Sequence, residues 1–390
     1  MLWLEGRAGH CKGRDRLKPS NGTVQPPPPS STAAASKDAG ASGWATNSTI
    51  KQVASDLRGG KSIVVTTHAK PDGDAIGSSL GLARSLEKAG ARVEIWLAGP
   101  IPRWVAEIAG EARIRELKPG VPMAFVDGKP ATDPDLCVVV DTGTWGQVSE
   151  LRPWIEPRPD RTIVIDHHLQ GDGPMATRRI VDSACASCTQ ALAPLCVELC
   201  GVTSAAKLPL EVSEPLYLGL ATDTGWLRYS SVTPATLRLA ADLIETGVDH
   251  TRLYMLIEQQ QPVARWRLLA KALASLELHG VHAKDDTAIM TLTLADFAAT
   301  GADPNDTSGF ADMLLTVSSV QVAAVLTESA VAPGEPPLTK YSLRSKPGPN
   351  AVDVNRVCQK IGGGGHARAA GAKSRVAIPA AKKALVDALK

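Results

Sequence analysis

Acidic and histidine side chains follow the most apolar segments in the first half of the chain. They come from the runs THAKPDGD, VVVDTG, TIVIDHH and GLATDTG, and they are His68, Asp72, Asp74, Asp141, Asp166, His167, His168 and Asp223. Carboxylate oxygens are preferred ligands of Mg²⁺ and Mn²⁺, and imidazole nitrogens shift the preference toward transition metals such as Mn²⁺. The pattern therefore indicates a metal site, and no Ser or Cys nucleophile motif competes with it.

The number of candidate ligands favours two cations. A structural zinc ion needs four protein ligands, whereas six or seven candidates converge here. Two cations roughly 3.5–4 Å apart make hydroxide available near neutral pH and stabilise the attacking and leaving oxygens of a phosphodiester. An H-x3-D-x-D motif alone is weak evidence, but together with a D-H-H triplet and two further terminal aspartates it is specific.

Simpler roles stay open for some of these residues. Asp74 directly precedes the helix expected next and could serve only as its N-cap. Gly77, Ser78 and Gly81 could allow tight packing of that helix on the sheet, or could leave room for an anion at the helix N-terminus. Asp166 could orient a histidine ring instead of contacting a metal.

Four of the seven cysteines crowd into the segment SACASCTQALAPLCVELC. Their spacing, C-x2-C-x7-C-x3-C, could hold zinc. Because Cys188, Leu192, Leu195 and Leu199 follow helical spacing, we instead expect the cysteines to pack as small apolar residues. Free thiols fit a reducing cytoplasm.

The segments that carry these residues alternate between strands and helices. Val- and Ile-rich continuous runs predict strands buried on both faces at 62–68, 91–98, 136–142 and 162–168. Helices are expected at 75–88, 184–200, 211–222 and 234–246. This alternation predicts the α/β class, with a parallel sheet that has helices on both faces and binds ligands beyond the carboxyl ends of its strands.

The last third of the chain predicts a second, smaller α/β domain. Strands are expected at 286–294, 320–328 and 339–345, and helices at about 353–361 and 377–389. These helices flank the run GGGGHARAAG. Its glycines would let backbone N–H groups approach a phosphate, with charge-assisted hydrogen bonds from Arg344 and His366. A flexible turn is the simpler interpretation of Gly362–Gly365.

Composition limits the function classes. The chain has 390 residues, of which 44% are hydrophobic and 21% charged, which is enough for two or three packed domains. A net charge of +2 argues against a polybasic nucleic-acid coat. No run of about 18 apolar residues predicts a membrane span. Residues 1–46 are rich in Pro, Ser, Ala and Gly, so we expect a disordered tail there that is not a secretory signal.

The motifs resemble those of the DHH phosphoesterase family. HAKPDGDAIGS, VVVDTG, IDHH and GLATDTG match its four motifs in order, and GGGGHARAAG, preceded by YSLRS, matches the DHH-associated C-terminal domain. The resemblance spans about residues 48–390. It implies a DHH phosphoesterase domain at 47–249, a helical connector at 250–279 and a DHH-associated substrate-binding domain at 280–390.

The resemblance also implies a role for each motif residue. One Mn²⁺ ion would be held by His68, Asp72 and Asp141. The other would be held by Asp74, Asp141, His167 and Asp223, so that Asp141 bridges the two ions; Mg²⁺ is the alternative metal. His168 would face the substrate phosphate with support from Asp166, and the substrate would be bound by Arg344, Gly363, Gly364, Gly365 and His366. The D-H-H triplet is followed by Leu169, where many relatives have proline.

Within this family the chain is most similar to two-domain oligoribonucleases that also remove the 3′-phosphate of adenosine 3′,5′-bisphosphate. The resemblance implies short single-stranded RNA or a nucleotide as substrate, no membrane partner, and a homodimer as one option for assembly. The alternatives are a soluble cyclic-di-AMP or pApA phosphodiesterase, a RecJ-like single-strand exonuclease, and a catalytically inactive nucleotide-binding module. We see no additional nucleic-acid-binding domain of the kind expected in a processive exonuclease.

Overall fold

The structure is a computed structural model that describes residues 43–117, 125–126, 129–130, 133–348 and 350–390. Most of the tail expected at 1–46 lies outside the described residues. Contacts divide the chain into a first unit that ends at Val248 and a second unit, Asp249–Lys390. None of the helices in the described ranges combines the length and the apolar composition that a membrane crossing requires.

The first unit alternates strands with helices, as predicted. Its strands are β1 (Ser62–Thr66), β2 (Arg92–Ala98), β3 (Ile114–Leu117), β4 (Phe125–Val126), β5 (Lys129–Pro130), β6 (Leu136–Val140), β7 (Thr162–Asp166) and β8 (Arg178–Val181). Its helices are α1 (Ile50–Gly59), α2 (Gly73–Lys88), α3 (Val105–Ala109), α4 (Arg152–Ile155), α5 (Cys188–Cys200), α6 (Leu210–Asp223) and α7 (Pro234–Glu245). Helix α1 and the edge strands β3 and β8 are additions to the predicted set.

One parallel sheet organises the first unit, which confirms the predicted α/β class. Its strand order is β3-β2-β1-β6-β7-β8, and every neighbouring pair is parallel. Helices α2 and α5 contact the central strands. Val64, Val139 and Val164 project into a separate cluster that contains Ile155 of α4. Because β1, β6 and β7 run in one direction, the residues that follow them share one edge of the sheet.

Helices α2 and α6 lie in close contact because α2 carries glycine on the facing side. A Cβ atom on Gly77 would overlap the carbonyl oxygen of Pro215 and lie 2.8 Å from the backbone nitrogen of Gly219. A Cβ atom on Gly81 would lie 2.8 Å from the Leu216 side chain. These glycines therefore permit a helix–helix contact. This differs from the helix–sheet packing and the anion space considered from the sequence.

The cysteine-rich segment packs as its helical spacing predicts. Cys188, Leu192, Leu195 and Leu199 of α5 are buried. Burial raises the pKa of the Cys196 thiol to about 12, so this side chain packs as a neutral group. The helix begins at Cys188 instead of near residue 184, because the Ser187 side chain caps it by accepting from the backbone N–H of Gln190.

Residues 43–46 belong to the first unit and not to the expected tail. Trp44 is 5% exposed and lies in the cluster that contains Val139 and Val164. The Thr46 hydroxyl donates to the carbonyl oxygen of Val181 at 2.7 Å. The predicted boundary at residue 46 is therefore too late, because a single buried indole anchors a segment whose other residues are small.

The second unit contains a separate set of elements. Its helices are α8 (His250–Glu258), α9 (Val263–Ala274), α10 (Leu294–Thr300), α11 (Phe310–Leu314), α12 (Val354–Lys360) and α13 (Ile378–Leu389). Its strands are β9 (Glu277–His279), β10 (Thr287–Leu292), β11 (Val322–Ser329), β12 (Leu338–Ser345), β13 (Gly364–His366) and β14 (Ala369–Ser374).

These strands form one mixed sheet in the order β13-β14-β12-β11-β10-β9. Only β10 and β11 pair in parallel among the described strands of this sheet. Two apolar cores cover it, one with Val357 of α12 and Leu385 of α13, the other with Leu268 of α9 and Phe310 of α11. Helix α9, which was expected to be part of a connector, thus contributes to the core of the second unit.

The run GGGGHARAAG forms a β-hairpin and is not a flexible turn. Strands β13 and β14 pair antiparallel, and β14 pairs with β12. The register places Arg344 beside Ala369 and Ala369 beside His366. The glycines are needed for this pairing, since a Cβ on Gly363 would overlap the carbonyl oxygen of Gly371 and Gly365 has a φ of 148°.

Candidate metal centre

The eight acidic and histidine residues singled out in the first unit form one connected cluster. Three groups of side chains each bring their ligand atoms within 4.8 Å of one another. The groups are His68, Asp72 and Asp141; Asp74, His167 and Asp223; and Asp141, Asp166, His167 and His168. Asp141 and His167 each belong to two groups, so they join all three.

Asp141 is the central residue of this cluster. It follows β6, is 2% exposed and has a φ of 59°. Its Oδ2 atom lies 3.6 Å from Nε2 of His68, and its Oδ1 atom lies 3.4 Å from Nε2 of His167. The two carboxylate oxygens thus face different groups. Oδ1 is buried without a hydrogen-bond partner, which is costly for a carboxylate and fits an atom that coordinates a cation.

His68 and Asp72 lie on one side of Asp141. Asp72 caps α2 by accepting from the backbone N–H groups of Asp74 and Ala75, so the sequence hypothesis that Asp74 is the cap is wrong by two residues. Nε2 of His68 lies 3.8 Å from Oδ1 of Asp72. Burial alone lowers the pKa of His68, but the nearby carboxylates of Asp141 and Asp72 outweigh it and raise the pKa to about 10. The carboxylates therefore favour a positive charge at this position.

Asp74 lies inside the first turn of α2 and points at the N-terminus of α5. Its two carboxylate oxygens accept hydrogen bonds from the backbone N–H groups of Cys188, at 2.5 Å, and Thr189, at 3.0 Å. Burial, followed by repulsion from Asp141 and Asp223, raises the pKa of Asp74 well above its usual range. Helix N-termini stabilise negative charge, so α5 holds this buried carboxylate in place.

His167 connects Asp74 and Asp141 with Asp223, the last residue of α6. Its Nε2 atom lies 3.8 Å from Oδ2 of Asp74 and 3.6 Å from Oδ2 of Asp223. Its other ring nitrogen lies 3.4 Å from the carbonyl oxygen of Cys185, the type of contact that orients metal-binding histidines. Burial raises the pKa of Asp223 to about 6.

Asp166 and His168 form the third part of the cluster. Oδ1 of Asp166 accepts from the backbone N–H groups of His167 and His168 and lies 2.7 Å from Nδ1 of His168. The hydrogen bond to Asp166 raises the pKa of His168. The His168 side chain is 42% exposed, whereas that of Asp166 is fully buried. Asp166 therefore orients the ring, and His168 presents it at the surface of the site.

The donor set of this cluster fits two divalent cations. Asp72, Asp74, Asp141 and Asp223 supply carboxylate oxygens, and His68 and His167 supply imidazole nitrogens. Among the described residues, the basic groups that form ion pairs with these aspartates are histidines. Oxygen and imidazole ligands around a shared carboxylate are typical of metal-dependent hydrolases. The fold and the site therefore define a metal-dependent hydrolase of the α/β class.

Comparison with known proteins gives the family. The DHH family, N-terminal domain, matches residues 62–220, and the DHHA1 domain matches residues 287–390. The chain is 30% identical over 336 residues to the bifunctional oligoribonuclease and PAP phosphatase NrnA of Thermus thermophilus, covering 84% of this chain and 88% of that protein. This chain belongs to the DHH family of phosphoesterases, with a C-terminal DHHA1 domain.

Two further proteins are similar to this chain. The chain is 25% identical to the bifunctional oligoribonuclease and PAP phosphatase NrnA of Bacillus subtilis, over 80% of this chain and 88% of that protein. A crystal structure of an exopolyphosphatase-related protein from Bacteroides fragilis matches with a TM-score of 0.76 at 24% identity. That match covers 87% of this chain and 95% of the other, and it shows the shared fold.

The residues expected to bind substrate lie in the second unit. Arg344 on β12 is partly exposed, and its Nε atom lies 3.2 Å from the Asp312 carboxylate. The backbone N–H of Gly365 donates to the side-chain oxygen of Asn355 at 2.9 Å. The Gly365 amide is therefore engaged within the protein, and the expectation that the glycine run binds phosphate stays a prediction.

Sequence reasoning missed the contacts that hold the ligands in place. The amides of Cys188 and Thr189 on Asp74, and the carbonyl of Cys185 near His167, come from the backbone. A serine three residues before a glutamine at Ser187–Gln190 is typical of a helix N-terminus and could have indicated these donors. Trp44 was also missed, because the segment around it has the composition of a tail.

Proposed function

We propose that this protein hydrolyses the phosphodiester bonds of short oligoribonucleotides and the 3′-phosphate ester of adenosine 3′,5′-bisphosphate, using two Mn²⁺ ions. The observation that carries the proposal is the placement of Asp141, whose two oxygens face two different ligand groups. The names of the relatives from Thermus thermophilus and Bacillus subtilis support the substrate class.

The ligands divide around Asp141. His68, Asp72 and Asp141 would hold one ion, and Asp74, His167 and Asp223 would hold the other together with Asp141. Cations held by these residues would make hydroxide available near neutral pH and favour negative charge on the leaving oxygen. The protein's contribution is to fix these ligands, which it does through the α5 N-terminus at Asp74 and the α2 cap at Asp72.

His168 would bind the substrate phosphate. Asp166 holds its Nδ1 atom and raises its pKa, which favours the protonated ring. A protonated imidazole forms charge-assisted hydrogen bonds to phosphate oxygens. Because the His168 side chain is partly exposed, it can meet a ligand that arrives from solvent.

The second unit would bind the nucleotide. The register aligns Arg344 on β12 with Ala369 and His366 in one row across three strands. His366 and Ala369 belong to the same hairpin as Gly363, Gly364 and Gly365. A planar guanidinium suits bidentate recognition of phosphate. A nearly balanced net charge of +2 favours short substrates over long nucleic acids.

Product profiling would test this function. Protein freed of metal with a chelator and reloaded with Mn²⁺ should release mononucleotides from RNAs of two to five residues and inorganic phosphate from adenosine 3′,5′-bisphosphate. Ca²⁺ should not restore either activity, because it prefers all-oxygen sites. Full activity in excess EDTA would overturn the metal mechanism. Hydrolysis confined to pApA or cyclic-di-AMP would overturn the substrate assignment.

A further inference from the structure

Trp44 contacts both loops that carry the central metal ligands. A Cβ atom on Gly143, two residues after Asp141, would overlap the indole ring, and so would a Cβ atom on Gly171, three residues after His168. Neither glycine has a positive φ, so the backbone at these positions would accept other residues. The indole ring is therefore what restricts both positions to glycine.

The same side chain is hydrogen-bonded to the D-H-H loop. Its Nε1–H donates to the carbonyl oxygen of His168 at 3.1 Å. The two loops are also joined directly, since the backbone N–H of Asp172 donates to the carbonyl oxygen of Gly143 at 2.6 Å. The indole ring thus packs on two loops that contact each other. One loop follows Asp141, and the other follows His167 and His168.

The segment around Trp44 is anchored to the edge of the sheet. Thr46 exchanges hydrogen bonds with the backbone of Val181 on β8, and Asn47 does the same with the backbone of Arg179. A guanidinium nitrogen of Arg179 also donates to the carbonyl oxygen of Gly43. These contacts fix the backbone on both sides of Trp44 and so hold its side chain in place against the two loops.

We infer that Trp44 is a positioning residue of the metal centre: it fixes the Asp141 loop relative to the His167–His168 loop and so sets the spacing of the ligands between them. This inference rests on the proposed two-metal function. The competing interpretation is that Trp44 only fills the apolar cluster. Both roles contribute to stability, but only positioning affects metal affinity in the folded protein.

The test compares substitutions of two buried tryptophans in one cluster. Trp44→Phe keeps most of the ring and removes the N–H donor, and Trp44→Ala removes both. Trp96→Phe is the matched control, because Trp96 lies in the same cluster but its indole N–H donates to Glu94 on β2. Electron paramagnetic resonance of free Mn²⁺ gives the Mn²⁺ affinity of each protein. The measurement is made at a temperature where circular dichroism shows that the protein is folded.

We expect Mn²⁺ affinity to fall in Trp44→Phe and to fall further, by about 10–100-fold, in Trp44→Ala, the range seen when groups that orient metal ligands are removed. Trp96→Phe should retain the parent affinity even where its melting temperature is lower. Equal affinities in all four proteins would overturn this inference alone. A parent protein that binds no Mn²⁺ would overturn the proposed function and this inference with it.

Gly143→Ala provides an independent check. In the parent protein the new methyl group must displace the indole or the Asp141 loop, so Mn²⁺ affinity should drop. In Trp44→Ala the ring is absent, so the same substitution should have little further effect. Additive losses in the double variant would show that Gly143 is restricted by something other than Trp44, and would contradict the positioning role.

Discussion

The proposed chemistry depends on one carboxylate, Asp141, that belongs to two groups of candidate metal ligands. Asp141 adopts a left-handed backbone conformation, which is uncommon for non-glycine residues, although aspartate and asparagine adopt it more often than most, and which is found at functional sites. That conformation ends β6 abruptly and places the side chain between His68 and His167. This backbone conformation therefore lets the two carboxylate oxygens of Asp141 face different candidate ligands.

Asp141→Asn tests the proposed role of this carboxylate. Asparagine is nearly isosteric and tolerates the same backbone conformation, so the metal-free protein should melt close to the parent. Loss of the shared charge should reduce turnover by more than about 100-fold, the upper range for residues that only orient ligands. Bound Mn²⁺, counted by elemental analysis, should fall from two per chain to one or none.

Asp286→Asn is the control for that variant. Asp286 is also a buried aspartate, but it accepts hydrogen bonds from the backbone N–H groups of Val281, His282 and Ala283 in the second unit. Its substitution should lower stability and leave the metal count unchanged. A near-native rate for Asp141→Asn would show that this residue only ends a strand.

The packing of helices α2 and α6 positions three of the proposed ligands. Helix α2 carries Asp72 and Asp74 at its start, and α6 carries Asp223 at its end, so the contact between these helices determines how close those carboxylates lie. Gly77 and Gly219 make that contact backbone-to-backbone. A Cβ atom on Gly219 would also lie 2.7 Å from a carboxylate oxygen of Asp74, so these glycines affect the site directly.

Gly77→Ala should therefore separate α2 from α6. We expect overpacking to destabilise the protein by about 1–3 kcal/mol and to weaken Mn²⁺ binding. The matched control is Gly59→Ala at the end of α1, where an added Cβ meets nothing within 4 Å. That substitution should be neutral or stabilising by up to about 1 kcal/mol, with unchanged metal binding. If Gly77→Ala binds Mn²⁺ like the parent, ligand placement does not depend on this contact.

Sequence patterns predicted the elements with strong periodicity and missed those defined by packing. The continuous Val and Ile runs of β1, β6 and β7 identify a parallel sheet, and the terminal aspartates identify its functional edge. Edge strand β8 was missed because RRIV is short and polar. The glycine run looked like a loop because its pairing with β14 depends on close backbone contact, which composition does not reveal.

Sequence patterns likewise revealed the candidate ligands of the site but not the backbone groups that hold them. Side-chain ligands are visible as residue types, and all eight candidates lie in the cluster. The groups that hold them are backbone amides and carbonyls, such as those of Cys188 and Cys185, which every residue type possesses. Trp44 was assigned to the tail because its contacts with Gly143 and Gly171 are distant in sequence.

At the scale of the whole molecule, two units carry different residue sets. The first contains the proposed metal ligands, and the second contains Arg344 and the glycine hairpin. If the second unit binds the nucleotide, its contacts contribute to rate by positioning the scissile bond, as well as to affinity. Comparing a dinucleotide with a small phosphodiester that lacks the nucleotide can separate the contribution of nucleotide binding from that of the chemical step.

Arg344→Ala should lower kcat/KM on an RNA dinucleotide by about 10-fold or more, the scale of a lost charged hydrogen bond. Hydrolysis of a small chromogenic phosphodiester and the Mn²⁺ content should stay at parent levels. Arg375→Ala is the control, because Arg375 is an exposed arginine of the same unit that pairs with Glu335. Equal losses on both substrates would mean that Arg344 acts on the chemical step or on stability, and not on nucleotide binding.

We propose that this cluster holds two metal ions, one on either side of Asp141. Anomalous diffraction at the manganese edge, from crystals of the full chain grown with Mn²⁺, tests it most directly. We predict two peaks, roughly 3.5–4 Å apart, one beside His68 and Asp72 and the other beside Asp74, His167 and Asp223. A single peak, or peaks that do not contact Asp141, would contradict the two-metal account.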